Sequence, residues 1–485
     1  MDPSSPRPRP HVVLVVSPFA GHVTPMAELA RFLVAHHGCA VTLVPLSLDA
    51  RSAAVVASLQ ASSASVAVVT LPEVQLDDLA GADVGLRIFE HARRSLPHLR
   101  DVLRSIDGVA ALVPDFFCGA VLDLAVELGI PGYVFVPSNM AWLAVMRCLV
   151  EIHDGAVSGE YRDLPDPLHL ARDLTISASD IPDGIADKSD PVFRRQIDEV
   201  RRHRRAADGF LVNSFADMEL ATVEDLKLAA EQGAFPPVYP VGPLLRSSSD
   251  EPGEAACLEW LDRQPSGSVV YVSFGSAGML SVEQTRELAA GLEMSGHRFL
   301  WVVRMPNLHG MSYDFATDHR SRDGDEGPLS WLPGGFLERT RGRGLAVMSW
   351  TPQVRVLSHP ATAAFVSHCG WNSTMESVSS GVPMIAWPLY AEQKMNATIL
   401  TKAVGMALRP AAATAARGGD GVVTREAVAT AVKELMDHGE EGSAVARRAR
   451  ELQAAAARAR SPDGASRRAL DEVAGKWKRA AREKC

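Results

Sequence analysis

Short apolar runs rich in β-branched residues alternate with helical segments along most of this chain, and this alternation limits the possible folds more than any other feature. The first run, Val12–Val16, ends before Ser17 and Pro18, and a helical pattern follows over Thr24–Val34, with the helix starting at Pro25. Strands that alternate with helices of this length predict right-handed βαβ units and a parallel sheet. Further strands are predicted at Ala40–Pro45, Ala110–Pro114, Gly132–Val136, Ser268–Ser273, Arg298–Arg304, Leu345–Met348, Ala363–Ser367 and Met384–Trp387.

A segment rich in Pro, Gly, Ser and acidic residues, Val238–Ala256, interrupts the alternation, and we assign the interdomain linker to it. The 485 residues are too many for one hydrophobic core. The predicted fold is therefore α/β, with two similar, doubly wound parallel-sheet domains that face each other. We expect an N-terminal domain at 1–245 and a C-terminal domain at 246–485, with the last helix packing back on the N-terminal domain.

Composition and charge narrow the choice of partners. The net charge of -9 argues against a broad basic surface for nucleic acid or an anionic membrane. No run reaches the ~18 apolar residues of a membrane span. The six cysteines form no C-x-x-C pair, so neither a zinc site nor a disulfide framework is indicated. These features predict a soluble cytoplasmic monomer that binds small neutral or hydrophobic molecules.

One strand-to-helix turn has the features of an anion site. A predicted strand leads to His368 and runs through Cys369 and Gly370 into a helix that begins near Asn372. Free backbone N–H groups at a helix start bind anions, so this turn predicts a pyrophosphate ligand. Gly370 permits close approach of the backbone, and His368 can donate a hydrogen bond to a phosphate oxygen. One helical turn on, the Glu376 carboxylate can accept both hydrogen bonds of a ribose diol.

The whole segment Trp350–Gln393, 44 residues long, resembles the donor-binding box of plant family 1 UDP-glycosyltransferases in length, in its terminal Trp and Gln and in its HCGWNS core. The family implies GT-B architecture, in which two Rossmann-like domains face each other across a cleft that holds the active site. It implies a UDP-sugar held by Trp350, Gln353, His368, Gly370, Trp371, Asn372, Ser373, Glu376, Glu392 and Gln393, with Ser276 and Asn139 as further candidates. Glu392 stands where the family usually has the shorter Asp, and Gln393 is loosely associated with glucose.

His22 and Asp115 are the candidate catalytic residues. The loop Ser17–Pro25 lacks the G-x-G-x-x-G of dinucleotide enzymes, which argues against a nicotinamide dehydrogenase, and we expect it to present His22 to the cleft. Asp115 follows the strand Ala110–Pro114, where an Asp is more often a helix cap. Both residues match the family's catalytic His and its partner Asp. A carboxylate beside an imidazole would fix its tautomer and stabilise the imidazolium.

A metal-dependent reaction has one formal signal. Asp323-Gly324-Asp325 matches the D-x-D motif of metal-using glycosyltransferases, but it lies in a segment without periodicity, Pro306–Pro328, which we interpret as a surface loop. We therefore predict no metal, and no cofactor apart from UDP-glucose as the donor substrate.

The predicted function is inverting transfer of glucose from UDP-glucose to a hydroxyl of a phenolic small molecule. The chain looks closest to family members that glucosylate hydroquinone, monolignols or flavonoids. Transfer to a carbon of an activated phenolic ring and non-catalytic UDP-sugar binding are the alternatives, although a non-catalytic protein would not need His22 and Asp115. Acceptor contacts are expected from the N-terminal half, at Phe89, Phe116, Phe117, Met140, Trp142 and Met146.

Overall fold

The computed structural model of the chain describes residues 9–154, 167–171, 174–182, 185, 191–246, 255–307, 327–348, 350–410 and 421–483. Its strands are β1 (His11–Val16), β2 (Ala40–Pro45), β3 (Val66–Val68), β4 (Val109–Pro114), β5 (Tyr133–Val136), β6 (Leu168–Ala171), β7 (Leu174–Ile176), β8 (Gly209–Val212), β9 (Val238–Pro240), β10 (Val269–Ser273), β11 (Arg298–Val303), β12 (Gly344–Met348), β13 (Thr362–Ser367), β14 (Met384–Ala386) and β15 (Ala407–Leu408). Its α-helices are α1 (Ala20–His37), α2 (Ala50–Ser62), α3 (Val84–Arg94), α4 (Leu96–Ser105), α5 (Leu122–Leu128), α6 (Met140–Asp154), α7 (Pro191–Ala206), α8 (Leu220–Glu231), α9 (Ala255–Asp262), α10 (Val282–Ser295), α11 (Phe336–Arg339), α12 (Gln353–Leu357), α13 (Trp371–Ser380), α14 (Gln393–Thr398), α15 (Arg425–Met436), α16 (Glu440–Arg460) and α17 (Ala465–Glu483).

Parallel sheets form the centre of both halves, which confirms the predicted α/β fold. In the first half, β3-β2-β1-β4 and β5-β8-β9 are parallel groups, and isolated bridges at Leu112–Gly132 and Asp115–Phe135 connect β4 to β5. The second half has the order β12-β11-β10-β13-β14-β15. Both faces of these sheets are covered, which explains why strands such as β1 and β10 are continuous apolar runs rather than alternating ones.

The strand orders define where a ligand would bind. β1 lies between β2 and β4, and β10 lies between β11 and β13, so the strand order reverses at β1/β4 in one half and at β10/β13 in the other. Open parallel sheets bind ligands outside the carboxyl ends of the strands at such reversals. A ligand site is therefore expected at the segments that follow these four strands.

The last helix, α17, contacts the first half of the chain. Leu470, Val473 and Trp477 are buried in the same apolar cluster as Val12 of β1. The Trp477 ring packs edge-on against Tyr133, with 5.5 Å between the ring centroids. The C-terminal residues therefore complete the core of the N-terminal half.

Two sequence-based boundaries were wrong. α1 begins at Ala20, five residues before the predicted start at Pro25, so this proline lies inside the helix. The predicted linker begins three residues too early, because Val238–Pro240 forms β9 and pairs with β8. Most of the segment Pro306–Pro328, including the D-x-D motif, lies outside the described residues. In the described ranges, no helix is both long and apolar enough to cross a membrane.

Candidate active site

The two catalytic candidates lie at the carboxyl ends of β1 and β4, which are neighbours with Val15 opposite Pro114. Because only three residues separate β1 from α1, His22 lies in the first turn of a helix rather than in a loop. Its Nδ1 atom is 3.1 Å from Oδ2 of Asp115. The His22 side chain is 18% exposed, whereas Asp115 is fully buried. The contact with Asp115 uses Nδ1, so Nε2 on the other side of the imidazole is left for a second partner.

Several hydrogen bonds hold the Asp115 carboxylate in place. Its Oδ2 accepts from the backbone N–H of Ser17 at 2.8 Å and from the Ser17 hydroxyl at 2.5 Å, and its Oδ1 accepts from the N–H of Phe117 at 2.9 Å. Burial raises the pKa of Asp115, but the hydrogen bond and charge of His22 and the bonds from Ser17 outweigh it, so the net shift is downward. Asp115 is therefore an oriented anion beside the imidazole. Sequence reasoning missed Ser17, whose place just after β1 was the available signal.

His368 lies at the carboxyl end of β13, in a turn built for close approach. Cys369 has a left-handed backbone conformation with a φ of 64°. A Cβ added at Gly275 or Gly370 would lie 2.5 or 2.4 Å from Nε2 of His368, so two glycines leave room for the ring. Burial, followed by the charge of Arg304, lowers the pKa of His368 to about 4. The imidazole is therefore neutral near pH 7 and able to donate one hydrogen bond.

Three of the predicted donor contacts form one hydrogen-bonded group at the start of α13. The amide nitrogen of Gln353 donates to the hydroxyl of Ser373 at 2.8 Å and to Oε2 of Glu376 at 2.6 Å. The Tyr271 hydroxyl donates to the amide oxygen of Gln353 at 3.2 Å. The Glu376 carboxylate and the Gln353 amide therefore lie beside the free N–H groups at the start of α13. A nucleotide site would need this arrangement.

Trp350 and Ser276 are brought together by a residue that sequence reasoning did not identify. Arg51, in the first turn of α2, has its guanidinium carbon 5.6 Å from the centroid of the half-buried Trp350 ring. Its Nη1 donates to the backbone carbonyl of Ser276 at 2.9 Å. No local sequence pattern indicates this contact, because Arg51 belongs to the other half of the chain.

Trp371 and Asn139, two of the predicted donor contacts, form hydrogen bonds between the two halves of the protein. Trp371 is buried, and its indole N–H donates to the carbonyl of Asn213 at 2.7 Å. The buried Asn139 donates to the side-chain oxygen of Asn396 at 2.7 Å and accepts from the N–H of Trp142 at 2.8 Å. The indole N–H of Trp371 and the amide of Asn139 therefore join the two halves of the protein. The backbone N–H of Trp371 and the second amide N–H of Asn139 are not used in these bonds, so the donor contacts of both residues stay predictions.

Glu392 and Gln393 follow β14, as predicted. The side-chain oxygen of Gln393 accepts from the N–H groups of Leu389 and Tyr390 at 3.0 and 3.1 Å, which closes the loop after the strand. Burial raises the pKa of Glu392, and the charge of His22 is among the smaller effects that oppose it. This charge effect means that Glu392 lies in the electrostatic neighbourhood of His22.

The acceptor candidates divide into two groups. Four of them are buried in the core: Phe89, Phe116, Met140 and Met146. The other two, Phe117 and Trp142, are only partly buried. Phe117 stacks on the His22 ring, with 5.2 Å between the ring centroids. We therefore correct the predicted lining: the four buried residues form the packed layer beneath it, and Phe117 offers the aromatic surface next to His22.

A hydrogen bond connects the predicted diphosphate site to α1, the helix that carries His22. Pro25 has no N–H, so the carbonyl of Gly21, four residues earlier in α1, lacks its usual helical donor. The side-chain amide of Asn372 donates to that carbonyl at 2.8 Å. The start of α13 is thus joined to the residue next to His22.

Metal binding has no support among the residues that the structure describes. No group of three or more His, Cys, Asp or Glu side chains in these ranges could hold an ion. The D-x-D motif at 323–325 falls outside them.

Comparison with known proteins agrees with this geometry. The family described as "UDP-glucoronosyl and UDP-glucosyl transferase" matches residues 245–443. Hydroquinone glucosyltransferase from Rauvolfia serpentina is 43% identical, covering 96% of this chain and 98% of its own, and UDP-glycosyltransferase 72B1 from Arabidopsis thaliana is 44% identical, covering 97% and 96%. Phytolacca americana UGT2, solved with UDP-2fluoro-glucose and pterostilbene, has a TM-score of 0.83 at 40% identity, covering 97% of this chain and 100% of its own. These similarities confirm the GT-B fold and the enzyme class, and the chain belongs to the UDP-glucoronosyl and UDP-glucosyl transferase family.

Proposed function

We propose that the protein transfers glucose from UDP-glucose to a hydroxyl group of a phenolic small molecule, with inversion at the anomeric carbon to give a β-O-glucoside. The observation that carries this proposal is the bond from Asn372 to the carbonyl of Gly21, which joins the helix start that suits a diphosphate to the residue beside the His22–Asp115 pair. Two relatives support the chemistry, since one is named for hydroquinone, a phenol, and another was solved with a UDP-sugar analogue.

The donor would bind along the carboxyl edge of the second sheet. The diphosphate would receive hydrogen bonds from His368, Ser373 and the first N–H groups of α13. The uracil would stack on Trp350, and the ribose diol would bind Glu376 beside Gln353. The glucose hydroxyls would then reach Glu392 and Gln393.

The chemical step follows from the His22–Asp115 geometry. With Nδ1 protonated and held by Asp115, Nε2 of His22 takes the proton of the acceptor hydroxyl. The acceptor oxygen forms a bond to the anomeric carbon while the bond from that carbon to the β-phosphate oxygen of UDP breaks on the opposite face. UDP leaves with the bonding electron pair, and the N–H groups at the start of α13 stabilise its added charge. The proton on His22 passes to solvent after the product leaves.

A substrate screen tests the proposal. Purified protein is assayed with UDP-glucose, UDP-galactose and UDP-glucuronate against a panel of phenols, and the products are examined by NMR. We expect glucose transfer to a phenolic hydroxyl, with a β-anomeric coupling and with release of the sugar in hot acid. An α-glycoside would refute inversion, and an acid-resistant product would indicate a carbon–glycosidic bond instead.

The raised pKa of Glu392 predicts how donor binding depends on pH. As the pH falls from 7 toward 5, this carboxyl takes up a proton earlier than an ordinary Glu and becomes a poorer acceptor for the sugar hydroxyls. We expect the affinity for UDP-glucose to fall by up to about tenfold over this range, the value of a hydrogen bond to a charged group. His368 stays neutral because its pKa is about 4, and it does not contribute.

Calorimetric titration of UDP-glucose between pH 5 and 7 measures this effect, with Glu392→Gln as the matched variant. The variant should bind with nearly constant affinity, because its amide does not titrate. Equal pH dependence in both proteins would remove Glu392 from sugar binding.

A further inference from the structure

Arg51 reaches the donor site from the other half of the molecule. It lies in the first turn of α2, and Asp49, the residue just before this helix, caps it: its carboxylate accepts from the N–H of Ser52 at 2.6 Å. From there its guanidinium lies over the ring of Trp350 and donates to the carbonyl of Ser276. A nucleotide whose base stacks on Trp350 and whose phosphates reach the start of α13 would therefore pass beside this guanidinium.

The proposed diphosphate site lacks charge on its own contact residues. Asn372 and Ser373 are uncharged, and the pKa of about 4 leaves His368 neutral near pH 7. The diphosphate of a UDP-sugar carries two negative charges at that pH. The partial positive charge of a helix start offsets only part of them, about half a unit charge.

Two arginines flank the turn after β10 and supply positive charge. Arg304, from the end of β11, donates to the carbonyl of Gly275 at 2.7 Å. Arg51 donates to the next carbonyl, that of Ser276, from the N-terminal half. A guanidinium has five N–H donors, and the bond to Ser276 uses one of them. The others are suited to a phosphate, which guanidinium groups bind in a bidentate manner.

We propose that Arg51 is a donor-binding residue, which contacts the diphosphate from the N-terminal half and so couples donor binding to contact between the two halves. This inference rests on the proposed donor site. Its consequence is that donor affinity depends on a cation outside the C-terminal half that holds the donor box. Binding of the base and ribose alone involves Arg51 only through its contact with the Trp350 ring, so it should depend on Arg51 much less.

Calorimetry with UDP and with uridine tests this role. We compare wild type, Arg51→Ala, Arg51→Gln and the control Arg104→Ala, which removes an exposed arginine of α4 in the same half. Both Arg51 variants should bind UDP about tenfold more weakly, the effect of one lost hydrogen bond to a charged group, and should lose much less affinity for uridine. Their UDP affinity should also depend less on salt between 50 and 300 mM. The control should match wild type throughout.

The outcomes separate this inference from the proposed function. If wild type itself fails to bind UDP, the proposed function is refuted before any variant is compared. If wild type binds and the Arg51 variants bind UDP equally well or more tightly, the role of Arg51 is overturned. An equal loss for UDP and uridine also overturns it, because Arg51 would then act on the base. Circular dichroism checks folding, and Arg51→Gln keeps the side-chain length if the alanine variant is unstable.

Discussion

Replacing His22 by alanine is expected to lower kcat with a phenolic acceptor by about 10²–10⁴-fold, the usual contribution of a general base. The affinity for UDP should change little, because none of the proposed contacts to UDP is made by the His22 side chain. The loss should be smallest for the most acidic phenols, since these supply the nucleophilic oxyanion without help from a base. Steady-state kinetics over a series of phenols of graded acidity, together with calorimetric titration of UDP, measures both effects.

The matched control for this variant is His36→Ala. His36 belongs to the same helix, α1, but lies in its last turn and packs against Phe32. It should leave both kcat and UDP affinity unchanged. Turnover at the wild-type rate in His22→Ala would exclude His22 as the base, and a loss that is equal for weakly and strongly acidic phenols would point to a role in positioning instead.

Much of the architecture was predictable from local patterns. The strands at β1, β4, β10 and β13 are continuous apolar runs bounded by turn residues, and a parallel sheet brings the segments after neighbouring strands to one edge. The pairing of His22 with Asp115 was predicted from the family resemblance, and the adjacent carboxyl ends of β1 and β4 explain it physically. The start of α13 was predicted to within one residue, because Gly370 marks the turn that precedes it.

What could not be predicted depends on how the two halves meet. The contacts of Trp371 with Asn213 and of Asn139 with Asn396 span long separations in sequence, and no local pattern distinguishes an interface tryptophan from a base platform. Arg51 was missed for the same reason. The burial of Phe116 was also unpredictable, because an aromatic residue after a strand is compatible with either a core or a cleft.

Replacing Gly370 by alanine is expected to weaken UDP binding by about 10–100-fold. The backbone at this position has a φ of -61°, which alanine adopts without strain, so the effect comes only from the added methyl group. That methyl would lie 2.4 Å from Nε2 and 3.1 Å from Cε1 of His368, which must turn away. The proposed diphosphate then loses one hydrogen bond and its close approach to the backbone, each of which contributes to binding.

Gly334→Ala is the matched control, since a Cβ at Gly334 meets no atom within 4 Å. Calorimetry should give wild-type UDP affinity for this control, and thermal unfolding should show that Gly370→Ala remains folded. Because His22 and Asp115 are untouched, Gly370→Ala should recover part of its turnover at high UDP-glucose, which His22→Ala should not. If Gly370→Ala binds UDP as tightly as wild type, the diphosphate does not lie against this turn, and the donor site must be sought elsewhere along the edge of the second sheet.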